Sequence, residues 1–337
     1  MVTIVPGFNL NFKSSLIPVA NVSLLIKDLL LGKFEIDLII LVIVSTTIYS
    51  MIAIAAATRL FNREDVLLSE ESNLRLLFTN NSSKLKRTPN FMESITLYII
   101  GFGLLFYVGG TLQTMYKLNG VLMTEVFLVF LPAILFVKYL KFDYRETLSL
   151  RKVSLKSLTG STLLAISGGF FIAKFAREIQ EKIFPMPSEL KEAFKYLLYE
   201  NGHLPSTLKL FIIIAVSAAV CEEILFRGPI LAGVRSKFDK KSTVIIVGLL
   251  FGLFHMDLYR LVSTTVLGML ITYITLSTGS IFNGMLFHLI NNGSAVLLDS
   301  GDDANLWLSQ NSPWYYYPIF IVCFITGIYL IKQEKIE

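Results

Sequence analysis

Charge is scarce in this chain. Lys, Arg, Asp and Glu supply 16% of its 337 residues, where a soluble domain carries about a quarter. Hydrophobic residues supply 54%, and the mean hydropathy is +0.64. That balance excludes an ordinary soluble globular protein. The net charge of +5 is small and spread over the loops, which excludes a nucleic-acid partner. Cysteine is nearly absent. Cys221 and Cys323 both fall in apolar runs, so no disulfide framework is expected. The start, MVTIVPGFNLNFK, lacks a basic segment followed by an apolar core, so no cleaved signal peptide is expected. Neither GxxxxGK[ST] nor HExxH occurs, which leaves no nucleotide-binding loop and no helical zinc-protease motif.

What the chain has instead is apolar runs near the length that crosses a bilayer. Nine can be marked, at 37–58, 93–113, 120–138, 157–173, 208–234, 243–258, 261–277, 281–298 and 314–331. The expected fold is all-α, a polytopic transmembrane helical bundle of about 8–9 spans. With the C-terminus in the cytoplasm, inner segments 59–92, 138–156 and 235–242 carry six, six and four Lys/Arg. The short outer segments 114–119 and 259–260 carry one each, and 299–313 none. The positive-inside bias therefore puts the N-terminus outside. Segment 174–209 balances its six basic groups with five acidic ones. Its KFAREIQEKIF and SELKEAFKYLLYENG, broken by Pro185 and Pro187, read as two short amphipathic helices. Residues 16–33 read as an interfacial or re-entrant helix, interrupted by Lys27 and Asp28. Residues 62–90 read as a polar cytoplasmic linker.

Ionisable residues inside spans are costly, and they mark function more often than not. His203 sits in a polar outer loop beside Gly202 and reads as a surface residue, whereas His255 and His288 lie inside apolar runs. Glu222 is thirteen residues from the basic boundary at Arg235, or ~20 Å at the helical rise. His255 lies ~21 Å beyond Lys241, and His288 ~15 Å beyond Thr278. Three helices thus deliver these groups to one layer. Glu223 and Arg227 are four apart and share a helix face, so Arg227 neutralises Glu223. Glu222 is turned about 100° away and faces another neighbour. Phe251 and His255, and His288 and Asn292, are further i, i+4 pairs. A network that only glues helices together is the bland alternative, but so many groups at one depth favour a reactive cavity.

Glu222-Glu223-x-x-x-Arg227, Phe251-x-x-x-His255 and His288-x-x-x-Asn292 resemble, in order, the three motifs of the CPBP family. That family holds the type II CAAX prenyl endopeptidases and many bacterial intramembrane proteases. FRG follows the glutamate pair and TGSI precedes the third motif. The resemblance covers residues 157–298 and implies peptide-bond hydrolysis inside the membrane. It implies Glu222 as the general base that activates water, with His255 beside it. His288 and Asn292 would bind the oxyanion, and Glu223 and Arg227 would orient the site. Asn291 beside Asn292 is an addition to the pattern, and the i, i+4 spacing favours Asn292. Glu222, His255 and His288 could also hold a zinc ion with one position left for water.

The N-terminal PGFNLN, with LIPVANVSLLIKDLLLGK, a span and AAATRLFNRED, resembles the end of a sodium-export-type ABC transporter permease. The expected organisation is a permease-like tail at 1–65, a linker at 66–92 and a protease domain at 93–337. The implied partners are membrane lipid, a membrane-associated peptide or protein substrate, and an ABC transporter ATPase or permease. The implied location is a bacterial inner membrane. Two rival readings are a transport subunit whose acidic groups and histidines carry ions, and a catalytically silent CPBP relative acting as a binding or immunity protein. A transport path would string its groups through several depths, and a silent relative would have lost motif residues. Neither pattern is present.

Overall fold

The computed structural model describes residues 9–12, 14–17, 20–61, 88–171, 205–257, 259–299 and 316–334, with isolated positions between 175 and 188. His203, nearly all of the 62–90 linker and most of the 174–209 segment lie outside the described residues. Among the described residues the architecture is helical throughout, with a single isolated bridge, Leu150 to Ser280, and no strand.

The described residues fall into two units. The first holds α1 (Ala20–Leu30) and α2 (Ile36–Phe61). Asn21 is fully buried between them and donates to Ser45 Oγ and Thr46 Oγ1, both at 3.0 Å. A buried amide must find such partners, and here they fix the pairing of the two helices. Asp28 and Lys27 leave α1 amphipathic, as its sequence suggests.

The second unit contains α3 (Phe91–Tyr139), α4 (Leu155–Phe171), α5 (207–235), α6 (Lys240–Phe254), α7 (Leu261–Thr278), α8 (Ile281–Asp299) and α9 (Tyr316–Lys332). Asn90 opens α3 with a capping box, its side chain taking the Glu93 N–H while Glu93 takes its own. α3 is not one rod. Lys117 has φ 52° and ψ −127°, and the chain reverses there. Leu112 and Gly120 then lie against each other, and a Cβ on Gly120 would fall 2.2 Å from the Leu112 carbonyl. Gly109 packs on Thr124 one step further along. The element is a two-armed hairpin, as the separate apolar runs 93–113 and 120–138 suggest.

α5 is the central helix. Cys221, Leu225, Phe226, Ile230 and Leu231 pack with Leu97 and Val129 of α3 and with Val247, Phe251 and Phe254 of α6. On its outer half Leu210 and Ile213 meet Leu118 and Val296. A second core joins Leu164 of α4, Ile271 and Ile274 of α7, Phe287 of α8 and Ile331 of α9. α5 breaks its regular path at Gly228, where ψ is −116°, just before Pro229. Pro cannot continue an unbroken helical ladder. The flanking turns 211–217 and 226–230 are π-helical, a form enriched at functional sites.

α6 and α7 cross closely through small residues. Gly248, Gly252 and Gly268 face one another's helices, and a Cβ on Gly248 would sit 2.8 Å from the Met269 backbone nitrogen. Gly279 closes α7 with φ 67°, its N–H returning to the Thr275 carbonyl, and Ser280 starts the turn into α8. Among the described residues two helices are long and apolar enough to cross a membrane, Phe91–Tyr139 and Leu261–Thr278. The first of them is the hairpin, so its two arms are separate apolar segments.

The α6–α7 crossing generates a prediction. Gly248→Ala forces a backbone shift and should cost about 1–3 kcal/mol. Gly103→Ala meets nothing within 4 Å and should gain about 0.5–1 kcal/mol from helix propensity. Thermal midpoints of the detergent-solubilised variants, one lowered and one not, check the crossing.

Candidate active site

The first motif divides its two carboxylates between two faces of α5 about 100° apart. Glu223 is fully buried, and so is Arg227 one turn later. Glu223 Oε2 lies 3.2 Å from Arg227 Nε. The N–H is not aimed along that contact, so it is a charge pair rather than an aligned hydrogen bond. Glu223 Oε1 lies 2.8 Å from His288 Nδ1. Arg227 also donates through Nη2 to the Gly268 carbonyl of α7 at 3.2 Å, and its guanidinium sits 4.7 Å from the Phe251 ring centre. Gly284 of α8 gives Glu223 its room, because a Cβ there would press to 3.1 Å from Oε2. One ion pair therefore ties α5 to α6, α7 and α8. Charges taken this far from water must be matched or they unfold the site.

Hydrogen-bond direction settles the protonation of His288. A carboxylate only accepts, so Nδ1 carries the proton that goes to Glu223. Nε2 is then an acceptor, and Asn292 Nδ2 donates to it at 3.2 Å. The same Nδ2 donates to the Ile214 carbonyl at 3.1 Å, which fixes which end of the amide points there. Asn291 Nδ2 donates in turn to Asn292 Oδ1 at 3.1 Å, while its own oxygen rests against Gly169 of α4. The i, i+4 pair expected to reach out to an oxyanion is thus bonded to itself in this arrangement, and both Asn292 N–H groups are occupied.

Glu222 is turned towards α6. Its Oε2 is 4.0 Å from His255 Nε2, too long for a direct hydrogen bond. Their side chains are 13% and 28% exposed, so this is the open side of the cluster. His255 Nδ1 lies 2.9 Å from the Phe251 carbonyl, an acceptor, so Nδ1 carries a proton and Nε2 is the nitrogen turned towards Glu222. The Phe251 ring supports both imidazoles, with centroids 4.8 Å from His255 and 6.0 Å from His288.

The placement of His255 corrects one expectation. The run 243–258 predicts it inside a helix, whereas α6 stops at Phe254 and His255 caps it. Met256 takes φ 49°, and the His255 and Met256 N–H groups close back on Gly252 and Leu253. The left-handed residue turns the chain out of the helix before it can reach Leu261.

The zinc set does not fit. Glu222, His255 and His288 would have to converge, but both His288 nitrogens are engaged, by Glu223 and Asn292. Among the described residues no group of three or more His, Cys, Asp or Glu could hold a metal ion.

Residues 204–294 match the family described as type II CAAX prenyl endopeptidase Rce1-like. The match begins before α5, ends in α8 and contains every residue of the three motifs. It supports the CPBP resemblance drawn from those motifs, and a membrane protease of the CAAX type in general. No curated protein and no solved structure matches the chain.

Within the Rce1-like segment the structure brings the seven motif residues together, in two sets on neighbouring faces of α5 joined by the Phe251 ring. It also adds one from outside the matched segment. Glu125, on the second arm of α3, lies in the turn 124–130 that packs on the part of α5 holding Glu222, and its Oε2 is buried without a hydrogen-bond partner. Its signal in the sequence was a single acid inside the apolar run 120–138, with no companion four residues away to draw attention to it.

The ion pair carries its own prediction. Arg227→Ala strands Glu223 in an apolar layer and should cost about 3–5 kcal/mol. Glu222→Gln removes no fixed partner and should leave the thermal midpoint close to wild type. Equal loss in the two variants would show that Glu223 does not depend on Arg227.

Proposed function

We propose that this chain is a glutamate-dependent intramembrane endopeptidase. The observation that carries the reading is the division of labour between the two glutamates. Glu223 is locked by Arg227 and His288, while Glu222 has an uncommitted oxygen opposite His255 Nε2. With His255 neutral, a water placed between them donates one hydrogen to Glu222 and the other to His255 Nε2. Its own lone pairs then point away from both, towards an incoming carbonyl carbon. Glu222 takes the proton as the oxygen attacks, and returns it to the leaving nitrogen as the C–N bond breaks.

The carbonyl oxygen that becomes negative needs donors. Asn292 is the direct candidate, since an oxyanion outcompetes the neutral His288 Nε2 for its N–H. His288, with its proton on Nδ1, aims the amide through Nε2. Glu223 and Arg227 hold His288 in place. The substrate is a membrane-associated peptide or protein. The span count of eight to nine, the bacterial inner membrane, an outside N-terminus and a cytoplasmic C-terminus belong to the same reading, as does an ABC transporter partner for the permease-like N-terminus.

Glu222→Gln is nearly isosteric but cannot accept the proton. It should abolish cleavage of a membrane-anchored reporter peptide while the protein stays folded and inserted. Wild-type rates would remove Glu222 as the base. Asn292→Ala should lower the catalytic rate by about 10²–10³ with little change in KM. Asn291→Ala loses only the bond that steadies the neighbouring amide and should cost far less. The reverse order would move the oxyanion site to Asn291. His288→Ala should lose activity with no change in metal content by elemental analysis.

A further inference from the structure

Four polar atoms around the ion pair are buried and, among the described residues, have no hydrogen-bond partner: Glu223 Oε2, Arg227 Nε, Arg227 Nη1 and Thr275 Oγ1. All three residues are shut off from solvent. Thr275 stands out on α7. Its neighbours Thr272 and Thr278 donate back to carbonyls of their own helix, Gly268 at 2.6 Å and Ile274 at 2.9 Å. Thr275 makes no such bond. Its hydroxyl and Glu223 Oε2 converge instead on Gly284 of α8, 2.9 and 3.1 Å from the point where a Cβ would sit. The two oxygens are therefore no more than about 6 Å apart, within reach of one water at ~2.7–3.0 Å from each. Arg227 Nε lies 3.2 Å from the same Glu223 oxygen. Ile271 Cγ2, 3.0 Å from the Gly284 point, gives the spot an apolar wall.

A buried polar atom left unpaired costs the full desolvation of its group, so orphans that meet at one place point to a shared ligand. Charge decides what that ligand is. The Arg227 guanidinium repels a cation there, and the Glu223 carboxylate repels an anion. A small neutral molecule that both donates and accepts suits every group. We propose that Glu223, Arg227 and Thr275 hold one buried water molecule, which makes Thr275 a positioning residue for Glu223. The water accepts from the guanidinium, donates to Glu223 Oε2 and bonds the Thr275 hydroxyl, about the three bonds usual for a buried water. It steadies the carboxylate through Oε2 and so aims Oε1 at His288 Nδ1, 2.8 Å away. It is distinct from the water at Glu222 and takes no part in bond breaking. Only its effect on rate rests on the endopeptidase reading.

A crystal or cryo-electron map of the full chain, at a resolution that shows buried waters, should hold density between Thr275 Oγ1 and Glu223 Oε2. The map of Thr275→Val should lack it. A wild-type map with other buried waters and none here overturns the proposal. Nitrogen NMR of the histidines reads the positioning without relying on cleavage. The chain has three of them, so histidine labelling gives a short spectrum that His203→Gln and His255→Gln assign. Thr275→Val keeps the shape of the side chain and should move the His288 Nδ1 signal while His255 stays in place. Thr275→Ser restores the hydroxyl and should bring the signal back. A His288 signal indifferent to Thr275→Val assigns Thr275 a packing role only and overturns the proposal. On the reporter peptide Thr275→Val should lower kcat about 2–10-fold, the effect of one net hydrogen bond, with KM unchanged. Thr275→Ser should recover the rate, and an equal loss in Thr275→Ser counts against the water. If the wild type cleaves nothing, the endopeptidase reading fails, and the density and the spectra still decide whether the water is there.

Discussion

The buried pair of Glu223 and Arg227 is the constraint on which the site depends. Neither charge touches water, so each must be answered from within the protein. Arg227 answers Glu223 and the Gly268 carbonyl, and Glu223 answers His288. Those contacts hold α6, α7 and α8 at fixed distances around α5. The glycines follow from the same demand: Gly284 lets α8 approach the carboxylate, and Gly248 and Gly268 bring α6 and α7 close together behind the Phe251 ring. Replacing the pair with apolar residues could keep the helices packed, but it would leave nothing to orient His288.

From that anchor the polarity of the site runs in one direction. His288 gives its proton to Glu223, Asn292 gives to His288, and Asn291 gives to Asn292. Each donor is aimed by the acceptor before it, so the oxyanion candidates are pre-set by a charge two groups away. On the neighbouring face of α5, Glu222 and His255 lie outside this chain of bonds. A base must be free to change its protonation state, and a locked carboxylate is not. The helix turn of about 100° between adjacent residues is enough to give one glutamate each fate.

Much of this arrangement could be read from the order of residues. Each apolar run appears as a helix at nearly the expected bounds, because burial and hydropathy leave few other options for such segments. The i, i+4 rule paired Glu223 with Arg227 and His288 with Asn292, and local geometry needs no tertiary information. What stayed hidden depends on contacts between segments distant in sequence. That His288 would spend both nitrogens on Glu223 and Asn292 requires knowing how α8 docks on α5. That α6 would end at Phe254 depends on a left-handed Met256, which no propensity favours. The reversal at Lys117 was legible only as a gap between two apolar runs. Glu125 escaped because the part of α5 that its turn packs on, at Glu222, is 97 residues away.

The early stop of α6 also bears on how a hydrolase of this kind obtains its co-substrate. Fifteen residues make a rod of ~22 Å, short of the ~30 Å hydrocarbon layer. If α6 is one of the proposed spans, the carbonyls at its last turn end among lipid tails unless something wet receives them. Backbone of that sort persists at such depth only where it is buried in protein or lines an aqueous recess. His255 stands at that end, partly open, beside Glu222. On the proposed reading, the truncated helix would work as a drain run in reverse, admitting solvent to Glu222 and His255.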